Sequence, residues 1–238
     1  MKFLEFAPLS RIGNFLDHVD LGEYVVSGQL EVYSCKLAGF DKKLSRSLEQ
    51  EVQAGTSPLE LSASPVGPLT ESQSRRTLIY LILTLNNIYP DYDFSQLRAQ
   101  HFRKERTLAD VEEDIDGHLL EASRVWEETP GFGDSPLLES LWSAVDEAVE
   151  LKECDLYTYN SDLETDPFGE KGSVWSFNYF FYNKKLKRIL YFSCRGKSKT
   201  AAQDDSEVEN SDYKYNSDGD DGAEEATADY GMANDMDL

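Results

Sequence analysis

The sequence predicts an α+β fold: a single layered α/β sandwich domain with a mainly antiparallel sheet flanked by helices, plus a disordered loop and tail. Three observations lead there. Apolar residues with a helical period occupy the middle of the chain, from about residue 78 to 149. Runs rich in β-branched and aromatic residues lie towards its two ends, at 23–37 and 154–194. Composition then separates residues 1–38 and 74–198, which look foldable, from 39–73 and 199–238, which do not. Bringing the N-terminal strands beside the C-terminal ones makes 1–38 and 74–198 one globular domain, with 39–73 leaving it as a loop.

Each element has its own justification. Leu9, Ile12, Phe15, Leu16 and Val19 fall on one helical stripe, and Pro8 suits the first turn, where its missing N–H is not needed. "EYVVSGQLEVYSCKL" (23–37) reads as strand, with Gly28 at a bend or bulge. Residues 39–73 hold three of the eight prolines and, beyond Phe40, no aromatic residue. They read as a flexible Ser/Pro-rich regulatory loop with a short helix near Leu44–Val52, because Pro58, Pro65 and Pro68 prevent regular structure after it. Leu78, Ile79, Leu81, Ile82, Leu85 and Ile88 make a helix apolar almost all round, hence central, and Pro90 ends it. Thr107 caps the next helix with Asp110 three residues on, and the stripe continues through Leu108, Val111, Ile115 and Leu119. Ser135 as cap and Pro136 at the first position open another, through Leu138, Leu141, Trp142, Val145 and Val149. "CDLYTYN" (154–160) is a short strand. The tail, 199–238, is rich in Asp, Glu, Ser and Gly with almost no aliphatic residues, and is expected to be disordered.

The stretch "WSFNYFFYNKKLKRILYFSC" (175–194) interleaves eight aromatic residues with Lys and Arg. It reads as a hairpin turning at Asn183-Lys184, since Asn tolerates the positive φ of such a turn. Alternation then puts Trp175, Phe177, Tyr179 and Phe181 on one face with Leu186, Arg188, Leu190 and Phe192, a core surface in which Arg188 lies opposite Tyr179. The other face is mixed, with lysines towards the tip. Longer loops that shift the pairing by an even number leave this alternation intact.

The formal net charge is −22. Thirteen Asp and Glu against Lys214 give residues 201–238 a share of −12, and the rest of the chain is acidic too. Such a chain lacks the overall basic footprint of a polyanion binder and is drawn instead to basic protein surfaces. Cys35, Cys154 and Cys194 are too few and too scattered for a zinc cluster or disulfide framework, which fits a reducing compartment. Glu5 and Arg11 interrupt what would be a signal core, and the longest apolar run, Leu78 to Leu85, is too short to span a bilayer. A soluble intracellular monomer is expected.

No dinucleotide, P-loop, zinc-protease or nucleophile-elbow motif is present. His18, His101 and His118 lack ligand spacing. Asp162, Glu164 and Asp166 imitate a calcium loop, but Pro167 and Ser173 stand where it needs Gly and Glu. Asp91 and Asp93 flank a proline turn and suit a turn role at least as well as acid–base chemistry. No catalytic, cofactor or metal site is expected, and hence no enzyme. Modification sites are better supported. Lys42 and Lys43 precede Ser45 as basophilic kinases prefer, and Ser57-Pro58 and Ser64-Pro65 suit proline-directed kinases. Lys184, Lys185, Lys187 and Arg188 form a candidate nuclear-import signal that is equally a charged hairpin tip.

Three stretches carry a family resemblance: "GQLEVYSCKLAGFDKK" (28–43), "TLIYLILTLNNIYPDYDFSQL" (77–97) and "DPFGEKGSVWSFNYFFYNKKLKRILYFSC" (166–194). In identity and order they resemble the three boxes of the Maf-type repressor of RNA polymerase III transcription. The resemblance implies a non-enzymatic regulator without cofactor. Its partners would be RNA polymerase III, near the clamp, and the TFIIB-like subunit of TFIIIB, with no direct DNA binding and no membrane. It further implies inactivation by kinases of TOR-linked and cyclic-AMP signalling, reversal by a phosphatase under stress, and an import receptor serving shuttling between nucleus and cytoplasm. Ser45, Ser57 and Ser64 inherit that regulatory role by position. Two other classes stay open: an RNA- or single-strand-binding module built on the aromatic hairpin, and an acidic chaperone resting on the tail.

Overall fold

Phe180, Phe181 and Tyr182 are consecutive and all buried, as are Ile189, Leu190, Tyr191 and Phe192. Successive strand residues point to opposite faces, so both faces of this hairpin must be covered. The computed structural model, which describes residues 1–37, 39–55, 64–161, 167–168 and 172–200, shows how. The chain forms β1 (Lys2–Leu4), α1 (Ala7–Leu16), β2 (Val19–Asp20), β3 (Tyr24–Ser34), α2 (Phe40–Gly55) and α3 (Ser72–Ile88). It continues with β4 (Phe102–Lys104), α4 (Leu108–Glu128), α5 (Leu137–Val149), β5 (Cys154–Tyr159), β6 (Ser173–Asn183) and β7 (Arg188–Ser198). Among the described residues the seven strands make one antiparallel sheet, ordered β1-β3-β7-β6-β5-β4, with β2 also on β3. The fold is α+β, with helices on both sides of an antiparallel sheet.

Two cores share that sheet. One holds Leu9, Ile12, Phe15 and Leu16 of α1, the apolar stripes of α4 and α5, and the strand residues Phe177, Tyr179, Phe181, Leu190, Phe192 and Cys194. The other holds α3, Phe94, Leu97, Phe102, Tyr157 and Tyr159 against Phe180, Tyr182, Ile189 and Tyr191. The second face of the hairpin is therefore a core surface as well, not a mixed one. α2 packs against α3, and Glu49 approaches Arg75 at 3.8 Å. The helix expected near Leu44–Val52 is present and longer, from Phe40 to Gly55, and the same 39–73 segment buries Val66 and Leu69. The acidic tail beyond 200 and Ser57 lie outside the described residues.

Local expectations meet the structure in detail. Thr107 caps α4, its hydroxyl accepting from the Asp110 amide at 3.1 Å. α5 starts one residue later than the Ser-Pro pair suggests: Pro136 is in the cap position, and the Ser135 hydroxyl pairs with that of Ser140 at 2.7 Å. Val19 belongs to β2 rather than to the α1 stripe. Gly28 is neither bend nor bulge, since β3 pairs β7 without interruption through Gly28↔Cys194. A Cβ there would come within 2.6 Å of Cys194 Sγ and 3.1 Å of Leu16 Cβ, so glycine permits the helix and two strands to close up. The bulge lies in β6, between Ser173 and Trp175.

The hairpin register also differs from a two-residue turn. Asn183 pairs with Arg188, leaving 184–187 as a four-residue loop in which Lys187 adopts φ 53°. The shift is even, so Phe177, Tyr179 and Phe181 keep their face while their partners change to Cys194, Phe192 and Leu190. Leu186 consequently leaves the strand and sits half-buried in the loop, and Trp175 packs at the edge of the first core. Arg188 no longer faces Tyr179. Its guanidinium donates to the Ala148 carbonyl at 2.8 Å and lies 5.5 Å from the Phe6 ring centroid.

Candidate interaction and regulatory site

Asn183, the residue expected to form the turn, holds the hairpin loop from the end of β6. Asn183 is fully buried, donates from Nδ2 to the Val149 carbonyl at 2.8 Å, and accepts the Leu186 amide on Oδ1 at 2.9 Å. The carbonyl of Lys187 accepts the Cys35 amide at 2.8 Å, tying the far side of the loop to the end of β3. The lysines are thereby displayed on a fixed support. Lys184 pairs with Asp155 at 2.6 Å, and Lys185 pairs with Glu153. Lys184, Lys185 and Lys187 are exposed, whereas Arg188 is half-buried in the contacts just described.

Asp155 organises this end of the sheet. It also accepts from Lys104 at 2.7 Å, so one carboxylate serves two ammonium groups. Partial burial alone would raise its pKa, but the hydrogen bonds and charges of Lys104 and Lys184 outweigh that and hold it below the ordinary carboxylate value. Lys104 and Lys184 line an open depression of about 420 Å³ with Tyr157, Thr77, Glu71 and Ser64. Nothing local in the sequence distinguishes Asp155 from the other acids. Its role follows from sheet order, which puts β5 between β4 and β6.

Two of the candidate phosphorylation serines, Ser45 and Ser64, occupy different settings. Ser45 is half-buried in α2, one helical turn from Asp41 on one side and from Glu49 on the other. Asp41 is paired with the Met1 ammonium. Ser64 lies in a turn, its hydroxyl donating to the Gly67 carbonyl at 2.5 Å and its own carbonyl accepting the Gly67 amide at 2.9 Å.

Residues considered for chemistry are placed in structural roles. His101 Nδ1 accepts the Arg98 amide at 2.8 Å in the turn before β4. His118 packs at a tilt against Trp175 and Phe177, with ring centroids 4.8 Å and 5.6 Å away. Asp93 accepts the Ser95 amide at 2.9 Å, which makes it a turn residue. Asp162, Glu164 and Asp166 lie outside the described residues. Burial pushes the Cys35 and Cys154 thiols up to about 12, and raises the fully buried Cys194 further, so none of the three is poised as a thiolate. Among the described residues no group of three or more His, Cys, Asp and Glu could hold a metal ion, and no helix is long and apolar enough to cross a membrane.

Residues 26–193, which run from within β3 to Ser193 of β7 and include the hairpin and its loop, match the family model described as Maf1 regulator. A protein of Dictyostelium discoideum named repressor of RNA polymerase III transcription is 33% identical over 249 residues, covering 84% of this chain and 86% of its own length. One of Schizosaccharomyces pombe, named repressor of RNA polymerase III transcription maf1, is 35% identical over 210 residues, covering 84% of each chain. The crystal structure of citrus MAF1 in space group C 2 2 21 is 46% identical and superposes with a TM-score of 0.67, over 80% of this chain and 99% of that one. With the family match covering most of the chain and residues of both cores, the chain belongs to the Maf1 regulator family.

Proposed function

We propose that the protein is a negative regulator of RNA polymerase III transcription, acting as a protein partner of the polymerase and not as an enzyme. The observation that carries this reading is the match over most of the chain to relatives named as repressors of that transcription. In finer detail, the protein binds the polymerase near its clamp and binds TFIIIB, so that the polymerase is not recruited to promoters. Its charge of −22 favours rapid encounter with positively charged surfaces of such a machine. Phosphorylation at Ser45, Ser57 and Ser64 by growth-signalling kinases holds it inactive, and a phosphatase restores it. The protein moves between cytoplasm and nucleus with that state, an import receptor reading the exposed lysines of the hairpin loop.

A nucleic-acid-binding module on the hairpin is disfavoured by burial. From Phe177 to Tyr182 and from Ile189 to Phe192 every aromatic ring is packed in one core or the other, leaving no platform there on which bases could stack. The test is direct. Purified protein should retain RNA polymerase III and lower TFIIIB-dependent initiation on a transfer RNA gene. Binding to transfer RNA as tight as to polymerase, with a steep salt slope, would overturn the reading.

A further inference from the structure

Ser64 and the lysine pair on Asp155 come from distant parts of the sequence, yet they line one depression. Its lining includes Lys104 and Lys184 together with Ser64, Pro65, Gly67 and Pro68. Both ammonium groups are held by the one carboxylate of Asp155, at 2.7 Å and 2.6 Å, so each has donor capacity left for a further acceptor. Lys104 is further held over the Tyr157 ring, 5.9 Å from its centroid. The other charged group lining the depression is Glu71, while Gln73, Ser74 and Thr77 supply neutral polar atoms. The geometry suits an anion arriving from the Ser64 side.

We propose that a phosphate ester on Ser64 is received within the protein by Lys104 and Lys184, latching the 64–71 turn to the hairpin loop. This rests on the phosphorylation switch proposed above, and names where one of its phosphates goes. A kinase transfers the terminal phosphoryl group of a nucleoside triphosphate. The Ser64 oxygen bonds to that phosphorus, the bond to the departing nucleoside diphosphate breaks, and the hydroxyl proton passes to the kinase's base. Val66 and Leu69 are seated in the core, so the kinase acts on an opened segment. Once esterified, Ser64 cannot donate to the Gly67 carbonyl, and that 2.5 Å hydrogen bond is lost. The phosphate, with a charge of about −1.5 to −2 at neutral pH, replaces it with two charge-assisted contacts and draws Lys184 from Asp155. The latch therefore reaches the same loop that displays Lys185 and Lys187.

The experiment uses the full chain carrying phosphoserine at position 64 by site-specific incorporation, with the phosphate titrated by 31P NMR. The expected result is an ionisation shifted below the ordinary value of about 6, because flanking cations favour the dianion. Lys184→Gln should remove part of the shift, and Lys104→Gln with Lys184→Gln nearly all of it. Their folding is checked by near-UV circular dichroism. An ionisation equal to that of the same chain in denaturant, or one indifferent to both lysines, overturns the proposal. Repression by the same proteins reports separately on the switch. A lysine-dependent shift with unchanged repression supports the latch and removes Ser64 from the switch. Altered repression with no such shift keeps the switch and overturns the latch.

Discussion

Asn183 illustrates what a single residue contributes and how far its role was legible. Its position before a lysine run suggested a turn, and it does sit where β6 ends. Its side chain, however, is buried and spends both ends on backbone, the Val149 carbonyl and the Leu186 amide. The Val149 partner is 34 residues away in sequence, so no local pattern could announce it. Asn183→Ala leaves the Val149 carbonyl without that donor, and we expect a loss of about 1–3 kcal/mol in urea unfolding with the slope unchanged. A loss below about 0.5 kcal/mol would mean that water takes over both bonds. Gly28 teaches the same lesson. Its conformational freedom is idle here, and what matters is the missing Cβ between Cys194 and Leu16.

Among elements, those with strong periodicity were legible and those fixed by contacts were not. The α4 stripe and its Thr107 cap were read correctly because cap and stripe are local. The hairpin's facing pattern was legible while its register was not, since alternation is insensitive to an even shift and the loop's length is set by Asn183 and Lys187. Under the proposed switch, α2 is the element that carries Ser45. It packs chiefly on α3, with Asp41 four residues before that serine and Glu49 four residues after. A phosphate at Ser45 adds like-charge neighbours on both sides, offset in part by Lys42, and should weaken the helix by about 0.5–1 kcal/mol. Amide exchange in α2 should then quicken about two- to fivefold, with β7 unaffected and Ser45→Ala showing no change. Unaltered exchange in the phosphorylated protein would remove helix loosening from the account of the switch.

For the whole molecule, fold class was legible because strands and helices segregate along the chain. The second core was less so, although "YFFY" and "ILYF" are the continuous apolar runs that a two-sided sheet demands. What obscured it was the lysine loop, which suggested that one face met water. The two cores are chemically unlike: Trp126, Trp142 and Trp175 all belong to the first, while the second is dominated by tyrosine and the aliphatic face of α3. Tryptophan fluorescence therefore reports one side of the sheet, and tyrosine near-UV dichroism weights the other. Because β6 and β7 furnish both cores, the two signals should lose intensity at the same denaturant concentration. Midpoints separated by more than about 0.3 M urea would show that the layers unfold independently.

The direction of β7 has a consequence for how the molecule meets others. Arg188 begins it beside the lysine loop, and Ser198 ends it opposite Tyr24, where Lys199 pairs with Asp20 at 2.6 Å. At about 3.3 Å per residue, the eleven-residue strand separates these ends by roughly 35 Å. Residue 200, after which the sequence encodes thirteen acidic residues, thus lies at the end remote from the loop lysines. The exposed lysines of the loop and the place where the acidic sequence begins are therefore far enough apart for two partner surfaces to be engaged at once.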